Sequence, residues 1–257
     1  MAKVKDIRDY LNSRIPFSTK LDFDNVGLLA GEPDREVHLA VCALDVTDAV
    51  IEEAAALGAE LIVAHHPLIF HALKSVCIDD LVGRKIYALA RNGISAICMH
   101  TNLDAAVGGV NDALMEALGC TDVKPLGGAG AMPRFGRLPE PMALTDFLAR
   151  TKRTLEAGGL RYAGSGRTVS VVGCCGGSGG EFLEEALEAG CDTFVTADVR
   201  HDRFLAAEEL DVNLIDGGHF STENVVVPRI RQLLLDGFPE LDVRITQVQK
   251  QPEKFYT

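Results

Sequence analysis

The chain has 257 residues, of which 47% are hydrophobic and 24% are charged, a globular composition that excludes a largely disordered protein. Its formal net charge of -12 argues against a general nucleic-acid binder. No stretch approaches the roughly 18 apolar residues that a membrane span needs, and we expect neither a membrane helix nor a signal peptide. The seven cysteines include no Cys-x-x-Cys pair and predict reduced thiols in a cytoplasmic protein.

Two segments of the chain repeat each other at a constant offset, at which Glu52 aligns with Glu184 and Gly58 with Gly190. Apolar residues recur at helical spacing in the middle of each copy, and β-rich runs flank them. Each copy therefore predicts a strand, a helix and a parallel strand, with the glycine ending the helix. The predicted strands are 37–44 and 60–64 in the first copy, and 168–174 and 192–196 in the second.

The remaining predicted elements follow the same alternation of helices and strands. Ser178 and Glu181 have the spacing of a capping box at the start of the second repeat helix. The segment 127–141 is rich in glycine and proline and predicts a loop or linker between the two copies. The predicted helices are 4–15, 84–91, 145–155, 203–210 and 222–235, and the further strands are 95–99, 213–215 and 242–248.

Polar side chains collect where the predicted strands of both copies end. Ligands of open α/β sheets bind beyond the carboxyl ends of the strands, so these positions predict a functional site. The groups are His65 and His66 after strand 60–64, His100 and Asp104 after strand 95–99, Asp198 and His201 after strand 192–196, and His219 and Glu223 after strand 213–215.

Each of these patterns also has a purely structural interpretation. Of the adjacent His65 and His66, one could be packed and the other solvated. His219 and Glu223 could be a surface pair on one helical turn, and Asp104 could simply form a turn in the loop 102–111. Taken together, they predict a mixed nitrogen and oxygen ligand set for two divalent cations per chain, which suits Zn, Fe, Mn or Ni.

The other polar groups near these strand ends have less defined roles. His100, His201 and Asp198 are candidates for orienting ligands, for general acid or base catalysis, or for substrate binding, and Asp45 is a further candidate. The alternative for the two histidines is a hydrogen-bonded position in the core or at the rim. The turn 176–180 could cradle phosphate, but it lacks the lysine of a P-loop, and its plain interpretation is a turn.

The predicted fold is α/β. We expect two similar α/β/α halves from an internal duplication, with mostly parallel mixed sheets and a metal site between them. The halves are predicted at 1–125 and 126–257, and the C-terminal segment could pack back on the first half.

These motifs resemble a known family, the Nif-three-like dinuclear-metal proteins, often labelled GTP cyclohydrolase 1 type 2 homologs. The resemblance spans nearly the whole chain. It is carried by Asp24-Asn-Val-Gly-Leu28, Ala64-His-His-Pro-Leu-Ile69, His100-Thr-Asn-Leu-Asp-Ala105, Gly108-Gly-Val-Asn-Asp112, the glycines of 176–180, and Ile215-Asp-Gly-Gly-His219 with Thr222-Glu223.

The resemblance implies a ligand set, an assembly and an activity. The implied metal ligands are His65, His66, Asp104, His219 and Glu223, with Glu223 as the bridging group. A ring-shaped homohexamer is implied, with its metal sites facing an internal cavity. The expected activity is that of a metal-dependent hydrolase of GTP cyclohydrolase or related type, which attacks a small-molecule or nucleotide substrate with metal-bound hydroxide. The alternative is a non-enzymatic, metal-binding or regulatory hexameric scaffold.

Overall fold

The computed structural model describes residues 2–256. The first part of the chain alternates strands and helices up to a short helix that follows the third strand of a parallel series. Its elements are β1 (Ala2–Lys3), α1 (Val4–Arg14), β2 (Gly27–Ala30), β3 (Glu36–Val37), β4 (Leu39–Ala43), α2 (Asp48–Leu57), β5 (Leu61–Ala64), α3 (Leu81–Asn92), β6 (Ser95–Cys98) and α4 (Thr101–Ala105).

The rest of the chain begins with a helix and two antiparallel strands, and then repeats the alternation. Its elements are α5 (Val110–Ala117), β7 (Thr121–Pro125), β8 (Arg134–Met142), α6 (Leu144–Thr154), β9 (Arg161–Ala163), β10 (Val169–Ser178), α7 (Leu183–Glu188), β11 (Thr193–Ala197), α8 (His201–Glu209), β12 (Asn213–Asp216), α9 (His219–Glu223), α10 (Val227–Gly237) and β13 (Asp242–Ile245).

The chain divides into two compact units. Unit 1 comprises residues 2–103 and Val227–Gln249, and unit 2 comprises Asp104–Val226 and residues 250–256. The chain passes from unit 1 to unit 2 inside α4. The predicted halves, 1–125 and 126–257, follow the repeat in the sequence, whereas the two units follow packing in space. The predicted halves therefore stay a prediction.

Unit 1 contains a five-stranded sheet in the order β13-β4-β5-β6-β2. Strands β13, β4, β5 and β6 run parallel, and β2 is antiparallel at the edge. Strands β4, β5 and β6 are buried along their whole length, as expected for parallel strands whose two faces are both covered. Helix α2 begins at Thr47, whose hydroxyl accepts a hydrogen bond from the Val50 amide, and ends at Gly58 in the left-handed conformation.

Unit 2 contains a six-stranded sheet in the order β7-β8-β10-β11-β12-β9. Strands β10, β11 and β12 are parallel, while β7, β8 and β9 pair antiparallel with their neighbours. Its core includes the fully buried Phe147 and Phe194. The expected mixed α/β fold is therefore confirmed. Both units have three consecutive parallel strands, which is the arrangement that the repeat predicts; the duplication itself stays a prediction.

Three local expectations were wrong. The segment 127–141 was expected to be a loop, but β8 occupies it from Arg134 onward. Ser178 does not cap the second repeat helix: it ends β10, and a 3-10 turn, Gly180–Phe182, precedes α7. Asp104 was expected in a loop but lies in helix α4. Over residues 2–256, the structure has no helix with the length and apolar character that crossing a membrane requires.

Candidate metal centre

Three histidines of unit 1 meet where two neighbouring parallel strands end. His65 and His66 follow β5, and His100 lies two residues beyond β6. Each of the three offers a ring nitrogen within 4.8 Å of those of the other two. Their ring centroids are 4.9 to 5.6 Å apart. We call His65, His66 and His100 the histidine group.

Each member of the histidine group is held through its Nδ1 atom. His65 Nδ1 donates to the Met99 carbonyl oxygen at 2.9 Å. His66 donates to Asp45 at 2.6 Å and His100 to Asp24 at 2.8 Å. Because Nδ1 carries the proton, the lone pair that could bind a cation lies on Nε2, and the supporting oxygens fix each ring.

Asp24 is the least expected participant in this arrangement. It is only 5% exposed, and besides the bond from His100 it accepts hydrogen bonds from the backbone amide of Thr101, at 3.0 Å, and from the Thr101 hydroxyl, at 2.5 Å. Burial raises the pKa of this carboxyl, but the bonds from His100 and Thr101 outweigh it and hold the pKa well below its usual range. Asp24 is therefore ionised at neutral pH. In the sequence, Asp24 is recognisable only as the first residue of a motif that resembles the family, and the motif indicates no role for it.

Unit 2 has acidic side chains and a histidine of its own. Helix α9 places His219 and Glu223 on one face, with 3.0 Å between His219 Nε2 and a Glu223 carboxylate oxygen. A carboxylate oxygen of Asp104 lies within 4.8 Å of one of Glu223. We call Asp104, His219 and Glu223 the acidic group.

His219 has the same support as the histidines of unit 1. Its Nδ1 donates to Asp198 at 2.7 Å. Asp198 lies just beyond β11 and adopts a left-handed backbone conformation with φ of 51°, which is unusual for a residue other than glycine. The Asp198 carboxylate thereby orients the ring of a candidate ligand.

The chemistry of the acidic group fits a bound cation. Asp104 and Glu223 are 7% and 4% exposed, so their carboxylates repel each other where water screens them little. His219 Nε2 also faces a Glu223 carboxylate oxygen, and either a proton or a bound cation between these two atoms makes the contact favourable. Burial, together with the negative charges of Asp104 and Glu223, raises the pKa of the neighbouring Cys175 well above its usual value, so this thiol keeps its proton.

The turn 176–180 makes room for the acidic group rather than cradling a phosphate. Its amides donate to side chains of the protein: Gly176 to Asn111 at 2.7 Å, Gly177 to Thr222 at 3.1 Å, and Gly179 to Thr196 at 2.9 Å. A Cβ atom on Gly177 would lie 2.1 Å from a Glu223 carboxylate oxygen. The glycine therefore permits the approach of Glu223 to this turn.

Replacing Gly177 by alanine is expected to displace the Glu223 carboxylate and weaken divalent-metal binding by at least about tenfold. The alanine would also adopt a φ of 63°, which costs about 1 kcal/mol of stability. The matched control is Gly190→Ala, which has a φ of 87° but meets no atom within 4 Å. Zinc titrations of both variants separate the two effects. Equal zinc affinities of the two variants would show that Gly177 is needed only for its backbone conformation.

Replacing Asp45 or Asp198 by asparagine is expected to weaken metal binding by about 10- to 100-fold, because each carboxylate supports a candidate histidine ligand. The fold should be little affected, since both side chains are partly exposed. Isothermal titration with zinc measures the affinity, and the exposed Asp202→Asn is the control. Wild-type affinity in both variants would contradict a supporting role.

The other predicted candidate, His201, is the first residue of α8 and is exposed. Over residues 2–256, the groups of side chains placed to hold a metal do not include it. His100, by contrast, belongs to the histidine group.

The fold and these two groups define a class: a mixed α/β protein whose strand ends carry histidines and acids that could hold divalent metal ions. The family model for DUF34/NIF3 (NGG1p interacting factor 3) matches residues 2–253. The chain belongs to this family.

Relatives and solved structures agree with this assignment. A Clostridium perfringens protein named GTP cyclohydrolase 1 type 2 homolog is 32% identical over 260 residues, which cover 98% of this chain and 99% of the relative. A Clostridium acetobutylicum protein of the same name is 34% identical over 229 residues, covering 86% and 85%. A Staphylococcus aureus hypothetical protein of known structure is 29% identical, with a TM-score of 0.94 and coverage of 99% of both chains. A Bacillus cereus protein related to NIF3 shares the fold at 23% identity, with a TM-score of 0.93 and full coverage.

Proposed function

We propose that the protein holds two divalent metal ions and uses them for hydrolysis. The proposed ligands are His65 and His66 from unit 1, and Asp104, His219 and Glu223 from unit 2, with Glu223 as the bridging group. The observation that carries the proposal is the hydrogen bond that each of the three proposed histidine ligands makes through Nδ1. His66 and His219 each donate Nδ1–H to a carboxylate and His65 donates to a carbonyl, the arrangement typical of metal-bound imidazole.

The donor set favours a borderline transition metal. Imidazole with carboxylate suits Zn, Fe, Mn or Ni, whereas a set of carboxylates and carbonyls alone would suit Mg or Ca. None of the proposed ligands is a cysteine, so a structural cysteine-type zinc site is not proposed. Five protein ligands for two ions also leave coordination positions for water and substrate.

The residues around the ligands have defined tasks in this proposal. The proposed ligands would hold divalent ions, which would supply a water of lowered pKa and polarise the bond under attack. Asp45 and Asp198 keep the rings of His66 and His219 in one tautomer. His100 is not among the proposed ligands, and its Nε2, fixed through Asp24, is suited to take up and return a proton during hydrolysis.

The proposed reaction is a hydrolysis of GTP cyclohydrolase type or a related one. Its support is the shared name of the relatives, GTP cyclohydrolase 1 type 2 homolog, together with the candidate ligands. We also propose a homohexameric ring in the cytoplasm, which rests on the family resemblance.

Elemental analysis of protein purified without added metal, followed by an activity panel with the metal found, tests the proposal. About two ions per chain and hydrolysis of a nucleotide, amide or phosphoester are expected. Normal metal content without activity across the panel would reject the enzyme and favour a metal-binding or regulatory scaffold. Metal-free protein that takes up no added zinc, iron, manganese or nickel would reject the centre itself.

A further inference from the structure

We propose that Asn111 is a positioning residue that fixes the separation between the carboxylates of Asp104 and Glu223. The proposal rests on the proposed function and deepens it, because it explains how unit 2 aligns two of the proposed metal ligands. Asn111 belongs to the motif Gly108-Gly-Val-Asn-Asp112, to which the proposed function assigns no task. Its side chain is fully buried on helix α5.

Glu223 is related to its two neighbours in the acidic group in different ways. His219 lies one turn earlier on the same helix, so α9 itself sets the distance of 3.0 Å between His219 Nε2 and the Glu223 carboxylate. Asp104 lies on α4, and a carboxylate oxygen of Asp104 is within 4.8 Å of one of Glu223. The two buried carboxylates repel each other, so contacts between different elements must hold them at this separation.

The side chain of Asn111 supplies such a contact through both ends of its amide group. Its Nδ2 donates to the backbone carbonyl of Asp104 at 3.2 Å, and its Oδ1 accepts from the Gly176 amide at 2.7 Å. Gly176 in turn lies against Glu223, because a Cβ atom on this glycine would come 3.3 Å from Glu223 Cγ. Asn111 therefore joins the backbone of one proposed ligand to the turn against which the other packs.

The chemistry of this position requires an amide side chain. One partner of Asn111 is a backbone N–H and the other a backbone C=O, so a single orientation of the amide group satisfies both. An aliphatic side chain of similar volume would satisfy neither partner. Both hydrogen bonds are buried, and their loss would leave the Asp104 carbonyl and the Gly176 amide without this partner in surroundings that exclude water.

A buried arginine, Arg134, fixes the shape of the segment that carries Asn111. Arg134 is 2% exposed and donates to the carbonyl oxygens of Ala105 and Ala106, at 2.9 and 3.2 Å, where α4 ends. Its Nε also donates to Asp112 at 2.6 Å. The end of α4 and the first turn of α5 are therefore held together by protein groups alone, and Asn111 projects from a fixed segment.

Zinc titration of the full chain tests the role in two variants of Asn111. Asn111→Ala removes the amide group, and Asn111→Leu removes it while keeping most of the side-chain volume. In both variants the ion shared by Asp104 and Glu223 is expected to bind at least about tenfold more weakly. The ion shared by His219 and Glu223 should change by less than about threefold, because one helix sets that pair. With two Mn²⁺ ions per chain, the exchange-coupled electron paramagnetic resonance signal of the wild type should give way to that of isolated ions.

Asn213→Ala is the matched control. Asn213 is also fully buried in unit 2, and its amide group accepts from the Ser165 amide at 3.0 Å and donates to the Arg167 carbonyl at 3.2 Å. It begins β12 and so lies at the opposite end of that strand from His219. Thermal unfolding of the metal-free control should show a loss of stability, whereas both of its zinc affinities should equal those of the wild type. Equal losses of zinc affinity in the control and in the Asn111 variants would overturn the proposal.

Crystal structures of the metal-free proteins separate this inference from the proposed function. The carboxylates of Asp104 and Glu223 should lie farther apart in Asn111→Leu than in the wild type, by more than about 0.5 Å. An unchanged separation, wild-type zinc affinities or an equal weakening of both ions overturns the inference, even if metal content and hydrolysis are as proposed. A wider separation in a protein whose wild type takes up no metal would uphold the positioning role and reject the metal centre.

Discussion

Glu223→Gln is expected to reduce bound metal from about two ions per chain to one or fewer and to abolish hydrolysis. The proposed bridging carboxylate serves both ions, so its loss affects both. Glutamine has nearly the same shape and can still pack in this position, which is 4% exposed. Elemental analysis after dialysis, together with an activity assay, measures both effects.

Glu188→Gln is the control for this variant, because Glu188 is an exposed glutamate of α7 in the same unit. It should keep the metal content and activity of the wild type. Thermal unfolding of the metal-free proteins shows whether Glu223→Gln is folded. A folded Glu223→Gln protein with full metal content and full activity would reject the bridging role.

Asp24→Ala is expected to lower the free energy of unfolding of the metal-free protein by about 3–5 kcal/mol at neutral pH. The substitution removes a buried, ionised acceptor and leaves His100 Nδ1, the Thr101 amide and the Thr101 hydroxyl without it. Urea unfolding measures the loss. Asp22→Ala, at an exposed position two residues earlier, should change the midpoint little.

The contribution of Asp24 to the free energy of unfolding should decrease as the pH falls. The pKa of this carboxyl is lowered in the folded protein, so its contribution to stability is complete above the ordinary value of 3.8 and is lost as the pH falls below it. The difference between wild type and Asp24→Asn should therefore be largest at neutral pH and shrink in acid. A difference that grows below pH 3.8 would contradict the ionised state of Asp24.

The parallel strands, and the strand ends at which the histidines lie, could be predicted because the patterns of neighbouring residues indicate them. A buried strand, a helix with a left-handed glycine at its end and a second buried strand occur twice in the sequence. The i, i+4 spacing of His219 and Glu223 is likewise the spacing of one helical turn, and the structure contains that turn, three residues before the start of the helix predicted at 222–235.

The antiparallel strand β8 could not be predicted, because its prolines obscure it. Pro139 and Pro141 break the local β signal and cannot donate to a ladder. In the structure they lie where the register with β10 is interrupted, between the pairs of Arg137 with Val171 and Met142 with Val169.

Helix α4 and the role of Asp24 depend on contacts between residues far apart in the sequence. The segment around Asp104 is rich in residues that favour turns, which predicts a loop. The first amide of α4, that of Thr101, is instead capped by Asp24, 77 residues earlier in the chain. Neither the helix nor its cap has a local signal that sequence patterns could reveal.

Anomalous diffraction at the zinc edge, from crystals of the zinc-loaded protein, tests the central claim most directly. Two peaks per chain are expected, with nitrogen or oxygen atoms at about 2.0–2.2 Å from His65, His66, His219, Asp104 and Glu223. Peaks bound elsewhere, or these five side chains turned away from any ion, would contradict it.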